Sequence, residues 1–210
     1  MNQKRYKYPR TPHLPWSPGG TSDDIALDLT ACFEGKSVVV TEKLDGENTT
    51  LYRDHLHARS IDSAHHPSRE WIKRFHGEIG YQIPEGWRIC GENLYARHSL
   101  AYDDLESYFY AFSIWNEQNY CLRWQETLEW TALLGLVTPP VLYRGDWDEK
   151  RIQDLLIDVD RVEGYVVRSA DGFHYSEFAK NTAKWVRKEH VQTDEHWMFA
   201  AVIPNGLKES

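Results

Sequence analysis

The chain has 210 residues, 41% of them hydrophobic and 27% charged, with a formal net charge of −8. That is enough chain for one sizeable core or a domain with a small annex, in the composition of a soluble globular protein, and no apolar run approaches the length of a membrane span. The acidic balance argues against a polyanion-binding surface spread over the whole molecule: were nucleic acid the substrate, its phosphates would have to be met by local basic clusters and a divalent cation.

In chain order, Pro9, Pro12, Pro15 and Pro18 recur every third residue, the period of a polyproline II helix. Residues 1–20 are therefore expected to form an extended arm that packs along a domain made by residues 21–210 and caps its edge. Arg10 and His13 on the arm are within reach of a site that lies near that edge. Residues 21–24 read as a capping box, and Ile25, Leu29, Cys32 and Phe33 share one helical face, so a helix ending at Gly35 is expected.

From Ser37 the pattern turns to strands. SVVVTEKL, NTTLYRD and HLHARS are short β-branched runs separated by turn residues. Residues 67–79 read as a helix, WRICGENLYA and SYFYAFSIW as strands, and 121–135 as a helix. PPVLYRG is a short strand and 148–157 a helix. VEGYVVRS and GFHYSEF flank Ala170, Asp171 and Gly172, a hairpin signal, and TAKWVRKEHV is the last strong strand. Strands outnumber helices and come in hairpin-like runs. The predicted class is α+β, with mostly antiparallel sheets flanked by helices.

The cysteines Cys32, Cys90 and Cys121 are scattered and form no CxxC pair. They argue against a disulfide scaffold or a structural zinc site and fit a reducing cytoplasm. The N-terminus lacks a secretory leader, so a cytoplasmic protein with no membrane association is expected. His55, His57, His65, His66, His190 and His196 show no metal-ligand spacing and read as loop and surface residues, with His65 and His66 near the expected substrate side.

The stretch 41–50, TEKLDGENTT, poses the functional question. A strand that has run through Val38, Val39 and Val40 ends in Lys43 and then turns at Asp45 and Gly46. An ordinary lysine is a poor nucleophile at neutral pH. Desolvation or a neighbouring cation makes the amine neutral and reactive, and the end of a buried strand can supply the first. Gly46 allows close backbone approach. Taken alone, Lys43 is equally a surface residue beside a hairpin turn.

EKLDGEN (42–48) resembles motif I of the covalent nucleotidyltransferases, the ATP-dependent RNA and DNA ligases and mRNA capping enzymes. HARS (57–60) resembles motif Ia, CGENLYA (90–96) motif III, FYAFSIW (109–115) motif IIIa, VEGYVVR (162–168) motif IV and AKWVRK (183–188) motif V. Six matches in order are more specific than any one. GEN, EGYVVR and KWVRK resemble RNA ligases of the RNA ligase 2-like branch.

The resemblance implies an ATP-grasp-like ligase nucleotidyltransferase fold and an ATP-dependent RNA ligase. It would seal 5′-phosphate and 3′-hydroxyl RNA ends through lysyl-AMP and RNA-adenylate intermediates, with ATP as substrate and Mg²⁺ or Mn²⁺ as metal. Lys43 would be the nucleophile, with Glu42 beside it in the nucleotide site. Glu163 and Glu92 would hold the metal, and Glu92 would also contact the ribose. Phe112 would stack on adenine. Lys184 would bind the α-phosphate. Arg59 and Asn48 would bind the phosphate of the RNA end. The second motif V cation would be Lys188 or Arg187. Taken singly, Phe112 reads equally as core, Glu163 as a solvated acid, Arg59 as a surface residue, and Lys184 and Lys188 as the outer face of an edge strand. The short stretch after motif V implies a bare adenylyltransferase domain without an OB-fold or helical module, its RNA grip supplied by the arm or by a partner such as an end-healing kinase-phosphatase. The alternatives are a GTP-using guanylyltransferase and a non-catalytic RNA-end or nucleotide-binding module on the same fold.

Overall fold

Val38, Val39 and Val40 are completely buried, which makes β1 (Ser37–Lys43) an inner strand. The computed structural model of the chain describes residues 4–20, 25–27, 30–63, 65–188 and 201–209. β1 pairs with β7 (Val141–Asp146) on one side and β8 (Gly164–Ser169) on the other, and β10 (Thr182–Val186) follows β8. A second sheet runs β3-β2-β4-β5-β6-β9. It is built from β2 (Glu47–Leu51), β3 (Leu56–Ala58), β4 (Arg88–Asn93), β5 (Phe109–Trp115), β6 (Tyr120–Cys121) and β9 (Phe173–His174). Every pairing between these strands is antiparallel.

Each sheet buries one face against its own cover. Val38, Val40, Tyr165, Val167 and Ala183 of the first sheet pack with Leu14 of the arm, Phe33, and Ile152 of α3 (Glu149–Gln153). Leu51, Ile89, Phe109, Ala111 and Ile114 of the second pack against Ile72 and Ile79 of α1 (Glu70–Ile79) and the segment after α2 (Trp124–Leu133). The opposite faces look into a shared cleft. The chain passes from one sheet to the other through Leu44, Asp45 and Gly46. A side chain at Gly46 would put Cβ 2.6 Å from the Asn93 carbonyl oxygen, so that crossing needs glycine.

Three expectations fail. Ile25–Phe33 is not one helix: of its described residues, Ala31–Phe33 form a 3-10 turn, and Leu29 and the 21–24 capping box lie outside the described residues. The arm takes the backbone groups a helix would have used. His13 N–H donates to the Ile25 carbonyl at 2.6 Å, and Leu27 N–H to the His13 carbonyl at 2.8 Å. The hairpin at Ala170, Asp171 and Gly172 does not form between β8 and its successor. Phe173 instead pairs with Cys121 of β6 and packs edge-on to Trp115, 5.7 Å between centroids. The residues that follow, Tyr175–Lys180, make a 3-10 helix rather than a strand. The arm itself is extended. Lys184 N–H donates to the Pro12 carbonyl and Leu14 N–H to the Lys184 carbonyl, both at 2.8 Å, so it covers the free edge of β10. His190 and His196 lie outside the described residues. Among those described, no helix is long and apolar enough to cross a membrane.

Candidate active site

Lys43 is the last residue of β1 and faces Gly164 across the ladder to β8. Its carbonyl accepts the Glu163 N–H at 3.0 Å, and its ammonium donates to the Glu163 carboxylate. Backbone and side chain therefore clasp the same two residues. The Lys43 side chain is 23% exposed and that of Glu163 9%. Burial alone would lower the Lys43 pKa, but the carboxylates of Glu163, Glu92 and Asp45 together outweigh it and hold the amine above the usual lysine value. Desolvation, expected from the buried strand, is thus opposed here by neighbouring acids. The sequence points to these acids one by one but does not show that their charges outweigh the burial of the amine.

β1 and β4, the strands that carry Lys43 and Glu92, slip register shortly before those residues, between Val40 and Thr41 against β7 and between Cys90 and Gly91 against β5. Such irregularities re-aim the side chains that follow. Glu92 then lies directly across from Asn48 of β2. Burial pushes the Glu92 carboxyl up to about 8; Glu163 and Asp45 add to the rise, while Lys43 and a hydrogen bond from the Gly46 N–H oppose it. Asp45 accepts from Ser99 Oγ at 2.6 Å and Leu100 N–H at 2.9 Å, and its own N–H donates to Tyr102 Oη at 2.9 Å. The side-chain oxygen of Asn48 is buried with no hydrogen-bond partner among the described residues. A buried acceptor of that kind costs about 1–3 kcal/mol, as expected of a group that waits for a donor on a ligand.

The cleft measures about 880 Å³, within the range of small-molecule sites. Thr41 and Lys43 of β1, Val166 and Arg168 of β8, and Thr182 and Lys184 of β10 line it at alternate positions, the period of one strand face. Glu42, Asn48, Arg59, Glu92 and Phe112 also line it. Burial raises the Glu42 carboxyl, with Arg161 opposing and Asp158 reinforcing. Lys188 is exposed, lies two residues past the end of β10 and is not brought to the cleft. Arg187 is half-buried, and its N–H donates to the Glu163 carbonyl at 3.0 Å.

Glu163 and Glu92 fit a hard divalent cation by their chemistry. Among the described residues no group of three or more His, Cys, Asp or Glu side chains gathers into a cage. Two carboxylates, with water and substrate phosphates completing the shell, match how Mg²⁺ is usually held.

Several residues in or beside the cleft were given no role by the sequence. Arg69 Nε donates to Glu47 Oε2 at 2.7 Å and a second guanidinium nitrogen to Glu47 Oε1, a buried bidentate pair. His98 lines the cleft with its pKa lowered by burial, against the pull of Asp45, Glu47 and Glu163. Arg168 donates to the Phe112 carbonyl at 3.2 Å and the Leu122 carbonyl at 2.8 Å, tying β8 to the second sheet. Asn205 holds the loop that grips Asp45: its Nδ2 donates to the Leu94 carbonyl at 2.7 Å, and its Oδ1 accepts the Tyr102 N–H at 2.9 Å. Glu47 sits within the quoted motif, and its acidity was the available signal. No periodicity links 47 to 69 or 205 to 102.

The two antiparallel sheets and the cleft between them define the nucleotidyltransferase fold of RNA ligases. Naegleria gruberi RNA ligase structures superpose on the chain: a variant with ATP and Mn at TM-score 0.51 and 16% identity, one with PPi at 0.52 and 17%, and an apo variant at 0.53 and 18%. These matches cover 75%, 76% and 78% of this chain and 51%, 52% and 52% of those structures, so the chain spans about half their length. No curated protein sequence matches it. The RNA ligase family profile matches residues 36–186, and the chain belongs to that family.

Proposed function

We propose that this domain joins RNA ends with ATP through a lysyl-AMP intermediate. The observation that carries the reading is the Lys43 amine, held against Glu163 and Glu92 in a cleft that also presents Phe112 and Lys184. Membership of the RNA ligase family supports the substrate class, and a Naegleria relative of the same fold was solved with ATP and Mn.

Phe112 stacks on adenine, Glu92 binds the ribose and Lys184 meets the α-phosphate. The Lys43 Nζ lone pair attacks the α-phosphorus; the N–P bond forms as the bond to the pyrophosphate oxygen breaks. One proton of the Lys43 ammonium leaves to water before the attack, and a second leaves to water as the N–P bond forms. A divalent cation on Glu163 and Glu92 would neutralise the carboxylates that keep Lys43 charged and offset the negative charge of the phosphates. In the second step a 5′-phosphate oxygen of RNA takes the AMP from Nζ, with Arg59 and Asn48 placing that phosphate. In the third, the 3′-hydroxyl attacks the activated 5′-phosphorus and AMP leaves.

Incubation with α-labelled ATP and Mg²⁺ or Mn²⁺ tests the reading. A covalent label on the wild-type protein that survives denaturation and alkali but is released by acid, as a P–N bond is, and none on Lys43→Ala is the expected result, followed by sealing of a 5′-phosphorylated nicked RNA. Label from GTP in place of ATP would make it a guanylyltransferase; nucleotide binding without label would make it a binding module.

A further inference from the structure

The arm does more than cover an edge. It is fastened to both sheets. On the second sheet's side, Tyr6 N–H donates to Tyr52 Oη at 2.8 Å, and Tyr175 Oη donates to the Lys7 carbonyl at 2.6 Å. On the first sheet's side, Pro12 and Leu14 hydrogen-bond to the backbone of Lys184. Residues 8–11, between the two fastenings, all line the cleft. They lie between Phe112 and Lys184, the groups that would hold the base and the α-phosphate of one nucleotide. The Tyr8 ring sits edge-on to Phe112 at 5.2 Å and 69°, and to Phe178 at 5.2 Å and 84°. Ser113, the residue after Phe112 on β5, lines the cleft with them.

We infer that the arm is part of the nucleotide pocket and that Tyr8 is a base-recognition residue, forming the end wall against which the base bound at Phe112 comes to rest. The inference rests on the reading of Phe112 as the base-stacking ring. A tyrosine suits the place: its rigid ring fixes the depth of the pocket, and its hydroxyl puts a polar group beside an otherwise apolar wall. The prolines suit it too. A polyproline II segment makes no internal hydrogen bonds and is stiff before it docks, so a strap held at its ends keeps Tyr8 in position. A wall so placed sets which base fits, because pocket shape and one well-placed polar group discriminate between similar ligands.

The test measures transfer of label from ATP to wild-type, Tyr8→Leu and Tyr8→Phe proteins against nucleotide concentration, with GTP as competitor and thermal melts alongside. For Tyr8→Leu the expected result is a KM for ATP raised by about tenfold or more, the scale of losing an aromatic contact to a base, with the maximal rate nearly kept. Its preference for ATP over GTP falls. Tyr8→Phe, which keeps the ring, lies between the two. A loose fold would depress the maximal rate and lower the melting temperature but would not change the choice of base. Unchanged KM and base preference in both variants, with wild-type labelling intact, overturns the inference and leaves the ligase reading standing. A lower KM in Tyr8→Leu also overturns it, since Tyr8 would then be occupying the base's place. A wild-type protein that takes no label overturns both.

Discussion

Replacing Glu47 by alanine removes the carboxylate that both faces and hydrogen-bonds the Arg69 guanidinium. Glu47 and Arg69 are 8% and 7% exposed, so solvent does little to replace the carboxylate that the guanidinium loses. Breaking a buried pair from one side typically costs about 3–5 kcal/mol. For a domain of this size each kcal/mol moves the melting temperature by about 2–4 °C, which puts the expected fall at about 6–20 °C. Glu47→Gln keeps an acceptor but not the charge and falls by less. The double variant Glu47→Met with Arg69→Met recovers much of the loss, because neither charge remains to be desolvated. Thermal unfolding followed by circular dichroism at pH 7 compares wild type with the three variants. A Glu47→Ala shift below about 2 °C would refute the reasoning, for it would mean that water screens the pair.

Three further outcomes are expected. The Glu92 carboxyl is pushed up to about 8 from an ordinary 4.5, so the folded state keeps its proton to higher pH than the unfolded chain. Its contribution to stability is complete below about 4.5 and is lost as pH rises through 8; Glu92→Gln should therefore gain stability over wild type between pH 5 and 9 in urea unfolding, and parallel curves would contradict this. In the cation-free protein the Lys43 amine is held above the usual lysine value, so its reaction with an amine-selective reagent should climb with pH into the alkaline range; a rate flat from pH 7 to 10 without the cation would contradict this. Asn205→Ala loses the bonds to the Leu94 carbonyl and the Tyr102 N–H, which should cost about 1–3 kcal/mol and slow labelling through Tyr102 and Asp45. Labelling at the wild-type rate in a folded Asn205→Ala protein would show that this brace does not set the site.

What the sequence revealed and what it hid follow from the range of the forces involved. The valines of β1, the WRICGENLYA and SYFYAFSIW runs and the helix from Pro67 are local patterns, and the corresponding elements appear within a few residues of their expected ends. The stretch 25–33 failed because its local helical spacing was overridden by hydrogen bonds from His13, a partner more than ten residues away. In GFHYSEF only Phe173 and His174 form a strand, and the hairpin with β8 failed because that strand pairs with β6, where Phe173 also packs on Trp115. In the site, the motif-bearing residues Lys43, Glu92, Phe112 and Lys184 were legible, and Glu163 with them. The charge state of Lys43 was not, because it is decided by three acids from three separate stretches. Glu47 with Arg69, and Tyr8 against Phe112, were hidden for the same reason: each is a contact between distant segments that carries no periodic trace.

The central claim is that one lysine becomes covalently bonded to AMP. The most direct measurement is peptide mapping by mass spectrometry after incubation of the full chain with ATP and a divalent cation. One adenylyl group is expected, carried by the peptide that contains Lys43 and passed to a 5′-phosphorylated RNA when that is added. An adduct mapped to any other residue, or an unmodified protein under conditions where ATP is bound, would contradict it.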